Sequence, residues 1–188
     1  MKYFNLRVAI GSPKLRRILS HWLEIRGNRL MPMWQDIRPA KIKSELSVVW
    51  QYRYDRAEDE FFGGLSGDAI QRLIGGPIKN ARFRELHKGD PHFFARAKRV
   101  LFDPAIFCGR GLLYQQQERQ CYGERIMLPF SDTDGHASGI FGATDYSFAV
   151  LYEGGPEVRG EVEQWFDLSS SVSAVVDNPT ENFLTSRV

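Results

Sequence analysis

Between Ser12 and Gly27 the chain reads SPKLRRILSHWLEIRG, and Leu15, Ile18, Leu19, Trp22 and Leu23 recur at the spacing i, i+3, i+4, i+7, i+8. Only a helix gathers those five side chains into one stripe. Ser12 can cap it, Pro13 suits its first turn and Gly27 suits its end. Leaving such a stripe in water forfeits about 1.5–3 kcal/mol for each large apolar side chain. It therefore needs a cover, which must be a sheet, another helix or a second copy of the chain.

The next segments supply strands. Val48, Trp50, Tyr52 and Tyr54 alternate with Val49, Gln51, Arg53 and Asp55, the pattern of a half-buried strand. RAED makes a turn, and EFFGGLSG pairs back antiparallel. This second strand carries Gly63-Gly64 where side chains are expected, which signals a close approach, a bulge or room for a ligand. Between the helix and these strands, Pro39 starts one short helical turn through Leu46. Ser66 can cap GDAIQRLIG, where Ile70, Leu73 and Ile74 share a face, and KNARFRELHKG reads as loop plus one helical turn. Asp90-Pro91 opens a longer helix with Phe93, Ala97, Val100 and Leu101 on one stripe and Phe94 beside it.

Two strands are expected from Gly109 to Gln117, with Leu112 and Tyr114 alternating, and from Gln120 to Phe130, with Tyr122, Ile126 and Leu128 alternating. Asp134-Gly135 is the strongest hairpin signal in the chain, and ASGIFGATDYSFAVLY is apolar enough for a central strand. After Glu153 the character changes. Gly154-Gly155-Pro156 breaks the chain, EVRGEVEQWFDL is expected as a short helix, and DNPTENFLTSRV as a loosely held end. These readings divide the chain into an extension (1–12), a domain (13–152) and a tail (153–188). The expected class is α+β: five antiparallel strands with helices packed on one face, plus the N-terminal amphipathic helix.

Composition narrows the function. A net charge of +2, with only short basic clusters such as Lys14, Arg16 and Arg17, lacks the basic stripe of a nucleic-acid binder. Thirteen Phe, seven Tyr and four Trp can fill a sizeable core. Cys108 and Cys121 do not make a disulfide framework. The start MKYFNLRVAIGSPK is too polar for a signal peptide, and no stretch approaches the roughly 18 apolar residues of a membrane span. A cytoplasmic protein that does not insert in membranes is expected.

No constellation speaks for catalysis. His87 and His92 are separated by a Gly-Asp-Pro step and cannot share a helix face as metal ligands do. SDTDGHASGIFGA begins like a calcium loop at Asp132, but Ala143 stands at its twelfth position, where a bidentate carboxylate is needed. GGLSGDAIQ lacks the Lys-Ser/Thr of a phosphate loop, and no Gly-x-Ser-x-Gly elbow occurs.

The order of elements and three motifs resemble a PAS-like family of short bacterial proteins. The first motif is LRRILSHWLEIRGNRLMPMWQDIRPAKIKSEL, with Trp22, Gly27, Pro32, Asp36, Pro39 and Leu46 at the family's positions. The second is DEFFGGLSGDAIQRLIG, with Gly67 and Gly75. The third is the late hairpin ERIMLPFSDTDGHASGIFGA, with Leu128-Pro129-Phe130, Asp134-Gly135 and Gly142. The likeness spans about Leu15 to Leu151. One departure lies in the second strand, where Gly64 stands in place of the family's usual Arg.

The resemblance implies a non-enzymatic sensory or regulatory module acting through protein–protein contacts, gated by a small apolar ligand between the sheet and the long helix. Tyr52, Gly63, Gly64, Phe94, Ala97, Leu101, Tyr122 and Ile126 are the residues expected around that cavity. No cofactor is expected: His92 lies too early on the long helix to hold haem, and neither cysteine has the polar neighbours of a flavin photosensor. The stripe of Leu15, Ile18, Leu19 and Trp22 resembles a flanking helix that makes a homodimer, with an unidentified signalling protein as further partner. Two other readings stand beside this one. One is a cytosolic apolar-ligand-binding protein or small enzyme; the other is an adaptor presenting EVEQWFDL as a peptide.

Overall fold

The structure is a computed structural model that describes residues 9–88, 90–116, 119–150 and 161–169. The ends of the extension and of the tail (1–8 and 170–188) lie outside these residues.

The stripe folds as expected into α1 (Pro13–Arg26), with Ser12 Oγ accepting from the Leu15 N–H at 3.3 Å and Gly27 ending the helix at φ +56°. Two 3-10 segments, Trp34–Asp36 and Pro39–Val48, lead to β1 (Val49–Asp55), β2 (Glu60–Ser66), α2 (Asp68–Ile74), α3 (Phe83–Leu86) and α4 (Pro91–Phe102). The chain closes with β3 (Ala105–Gln116), β4 (Arg119–Ser131), β5 (Ala137–Val150) and β6 (Val162–Asp167). Gly67, not Ser66, occupies the cap position of α2.

The strands form one antiparallel sheet in the order β2-β1-β5-β4-β3-β6. It has six strands, not the expected five. The extra strand is β6, where a short helix was expected. Trp165 is buried on one face of the sheet and Phe166 on the other, so both neighbouring side chains are apolar and the period-2 signal is hidden.

Two cores result. On the inner face, α2, α3 and α4 pack over Trp50, Tyr52, Phe61, Phe107, Met127 and Ile140. On the outer face, α1 and the 3-10 segments pack over Val49, Ile106, Ile126, Leu128, Phe130 and Phe141. The cover that the α1 stripe needs is thus the chain's own sheet. Leu15, Ile18, Leu19 and Trp22 are all fully buried there, and Trp22 Nε1 donates to the Pro129 carbonyl at 3.1 Å. Double coverage also explains why Val49, Trp50, Gln51 and Tyr52 are all buried, although the alternation at the start of β1 predicts one wet face.

Gly63 and Gly64 have separate jobs. A Cβ on Gly63 would lie 1.9 Å from the Ile78 carbonyl oxygen. The Gly63 N–H donates to Ala81 O at 3.0 Å, and its carbonyl accepts from the Asn80 N–H at 2.8 Å. The bare residue lets the segment after α2 close the open edge of β2. On Gly64 a Cβ would fall 1.6 Å from Gln51 Oε1. The Gln51 amide fills the space beside Gly64.

Candidate functional site

The inner face is where the resemblance places a ligand. Ala97 and Leu101 point from α4 into the core with no exposure, Tyr52 meets them from β1, and Phe94 is partly buried against Phe61. Tyr122 and Ile126 are elsewhere. In β4 the odd residues Arg125 and Met127 face α4, whereas Ile126 belongs to the outer core and the Tyr122 hydroxyl donates to Gln120 Oε1 at 2.9 Å. A strand alternates its faces, so a parity one residue out moves both side chains across the sheet.

Around Tyr52 the space is filled rather than open. The remaining cavity, about 10 Å³, is bounded by Trp50, Tyr52, Ile70, Leu73, Ile74, His87, Phe93, Tyr114 and Thr144. That suffices for about one water.

His87 is the hub of this core. The short α3 turn, whose Phe83 carbonyl accepts from the His87 N–H at 3.0 Å, delivers the imidazole inward. Its Nε2 lies 3.0 Å from the Tyr52 hydroxyl and its Nδ1 3.2 Å from the Tyr114 hydroxyl. A neutral imidazole matches this bridge, accepting from one tyrosine and donating to the other. Burial, helped by the charge of Arg125, lowers the His87 pKa to about 3. Tyr114 reaches the bridge because β3 shifts register between Leu112 and Tyr114, which moves it off the face of Leu112. Burial pushes its hydroxyl up to about 12. The sequence places His87 in a loop, and nothing in its neighbours announces the bridge.

Beside His87 lies a charged cluster that sequence reasoning missed. Arg125 is only 1% exposed, and its guanidinium sits 4.6 Å from the centre of the Phe93 ring. Nε and Nη2 bind Glu161 at 2.6 and 2.8 Å, a bidentate ion pair. Arg96, on α4, holds Glu163 at 2.6 Å and Asp90 at 3.2 Å, and lies 3.5 Å from Glu161. Asp90 Oδ1 also caps α4 through the Phe93 N–H at 3.0 Å. Burial pushes the Glu161 carboxyl up, against the pull of Arg125 and Arg96. The available signal was an arginine opening the otherwise apolar run RIMLPF.

Neither thiol is poised for chemistry. Cys108 and Cys121 are buried, and burial raises both, Cys121 to about 11. His92 is exposed on the first turn of α4. Among the described residues no three His, Cys, Asp or Glu side chains gather closely enough to hold a metal ion. On the outer face an open groove of about 590 Å³ runs past Trp34, Arg53, Phe62, Phe130 and Asp132.

An antiparallel sheet with helices packed on it defines a small α+β module. The family whose model matches is described as a PAS domain and covers residues 10–145. The match spans well over half of the chain, and the protein belongs to the PAS domain family, whose general role is sensory or regulatory. Comparison with curated proteins and with solved structures returns no match. No helix among the described residues is long and apolar enough to cross a membrane.

Proposed function

We propose that this PAS domain is a non-enzymatic regulatory module of the cytoplasm, working without a resident cofactor, whose output is contact with another protein. One contrast supports this reading. Tyr52, His87 and Tyr114 in the inner core are bonded to one another, and both cysteines are buried, while the large open concavity is an aromatic-walled groove on the outer face. Trp, Tyr and Arg are the residues on which protein contacts most often depend, and the groove carries Trp34, Tyr54 and Arg53. Leu15, Ile18, Leu19 and Trp22 are already covered by the sheet, so self-association has to use other surfaces. An apolar ligand in the inner core has to displace Tyr52, His87, Phe93 or Tyr114. A free EVEQWFDL peptide requires β6 to leave the sheet.

The test is a paired proximity-labelling experiment in the source cells with the full chain and with Phe62→Asp and Arg53→Glu, both groove residues. The expected result is a protein labelled by the parent and lost with both variants, while their unfolding curves stay cooperative. An identical labelled set from all three chains refutes the groove as the contact.

A further inference from the structure

An arginine inside a strand is costly unless its donors are met. Arg125 Nε and Nη2 are satisfied by Glu161, with Leu113 O as a further acceptor at 3.3 Å, but the buried Nη1 has no partner. The rings of Phe93 and Tyr114 wall the guanidinium at 4.6 and 5.5 Å. The floor is Gly109, where a Cβ would stand 1.9 Å from Glu161 Oε1. Two arginines, aromatic walls and a bare glycine make a cradle shaped for a carboxylate.

Every part of that cradle comes from α4, β3 and β4, inside the family-matched residues, while the carboxylates lie outside them, Glu161 immediately before β6 and Glu163 within it. With β6 docked, two guanidinium groups face three carboxylates: Asp90, Glu161 and Glu163. With β6 undocked, the same two cations face Asp90 alone. An added anion is therefore disfavoured in the first state and favoured in the second.

We infer that the Arg125–Arg96 cradle is a binding site for a small carboxylate, that Glu161 is its tethered occupant, and that free carboxylate and docked β6 exclude one another. The unpartnered Nη1 favours a carboxylate with a second acceptor, so malonate exceeds propionate. A tethered competitor acts at an effective concentration on the order of millimolar, so free ligand binds the parent chain weakly. Undocking β6 uncovers the β3 edge from Ala105 to Arg110, a ready template for a strand of another protein. This goes beyond the protein-contact reading: a failure of carboxylate binding overturns it and leaves that reading standing.

The test titrates the full chain with malonate, propionate and matched sodium chloride, by calorimetry and thermal shift. Glu161→Ala is expected to bind malonate at least tenfold tighter than the parent, and propionate less tightly than malonate. Adding Arg125→Lys should abolish the binding. Glu161→Gln, which keeps the shape and removes the charge, serves if the alanine variant does not fold. In the parent chain, saturating malonate should speed amide hydrogen exchange across residues 162–167. Equal malonate affinity in parent and variant, no saturable binding in either, or unchanged exchange in β6 overturns the inference.

Discussion

Replacing Gly63 and Gly64 one at a time by alanine should give opposite results, although the two are adjacent. A methyl on Gly63 meets backbone: Ile78 O at 1.9 Å and Ile78 C at 2.7 Å. To reach ordinary contact the segment Ile78–Ala81 must retreat by more than an ångström. That breaks the two bonds that Gly63 exchanges with Asn80 and Ala81 and loosens the fully buried Ile78. Two backbone bonds are worth about 0.5–1.5 kcal/mol each, and overpacking adds about 1–3 kcal/mol. The expected loss for Gly63→Ala is therefore about 2–6 kcal/mol, or a fall of at least roughly 4–8 °C in melting temperature for a chain of this size. A methyl on Gly64 meets only the amide end of Gln51, which can rotate away. Alanine also gains about 0.5–1 kcal/mol over glycine within a strand, so Gly64→Ala should stay within about 1 kcal/mol of the parent. Urea unfolding with unchanged m-values measures both. Equal losses, or a larger loss at Gly64, refute the assignment of these glycines to backbone approach and side-chain filling.

His87 makes stability depend on pH. Its pKa is lowered to about 3 in the folded state, so below the ordinary histidine value of 6.5 the unfolded chain binds the proton that the native one refuses. Stability should fall with pH from that point, by about 2 kcal/mol at pH 5, and the fall should shrink in His87→Gln when denaturation is repeated across pH. Trp22→Ala should cost about 3–5 kcal/mol by urea unfolding, because the ring is fully buried and its N–H is bonded to Pro129 O. A loss below 1 kcal/mol contradicts that packing. Cys108 and Cys121 should resist a thiol reagent at pH 8 until urea unfolds the protein, since both are buried with raised pKa values. Rapid labelling of the native chain contradicts this.

Local signals in the sequence were enough for α1, α4, the β1–β2 pair, the Asp134-Gly135 turn and the order of elements as far as β5, because each rests on caps, turns or a clear period. The α+β class and the PAS family follow from that order and its motifs. What the helical stripe lies against could not be read, since burial on a sheet and burial on a second chain demand the same apolar spacing. Strand β6 was misread because Trp165 and Phe166 serve different cores, and double burial erases alternation. Tyr122 and Ile126 were put on the wrong face because parity depends on which neighbour a strand meets, and Tyr114 changed faces at a register shift. Distant partners were equally hidden: His87 meets Tyr52 and Tyr114, and Arg125 meets Glu161, only once four strands and two helices have come together. Period and turn chemistry are local and stay legible in one dimension. The pairing of buried polar groups is a property of three-dimensional closure, because only there does the cost of leaving each one unpaired select its partner.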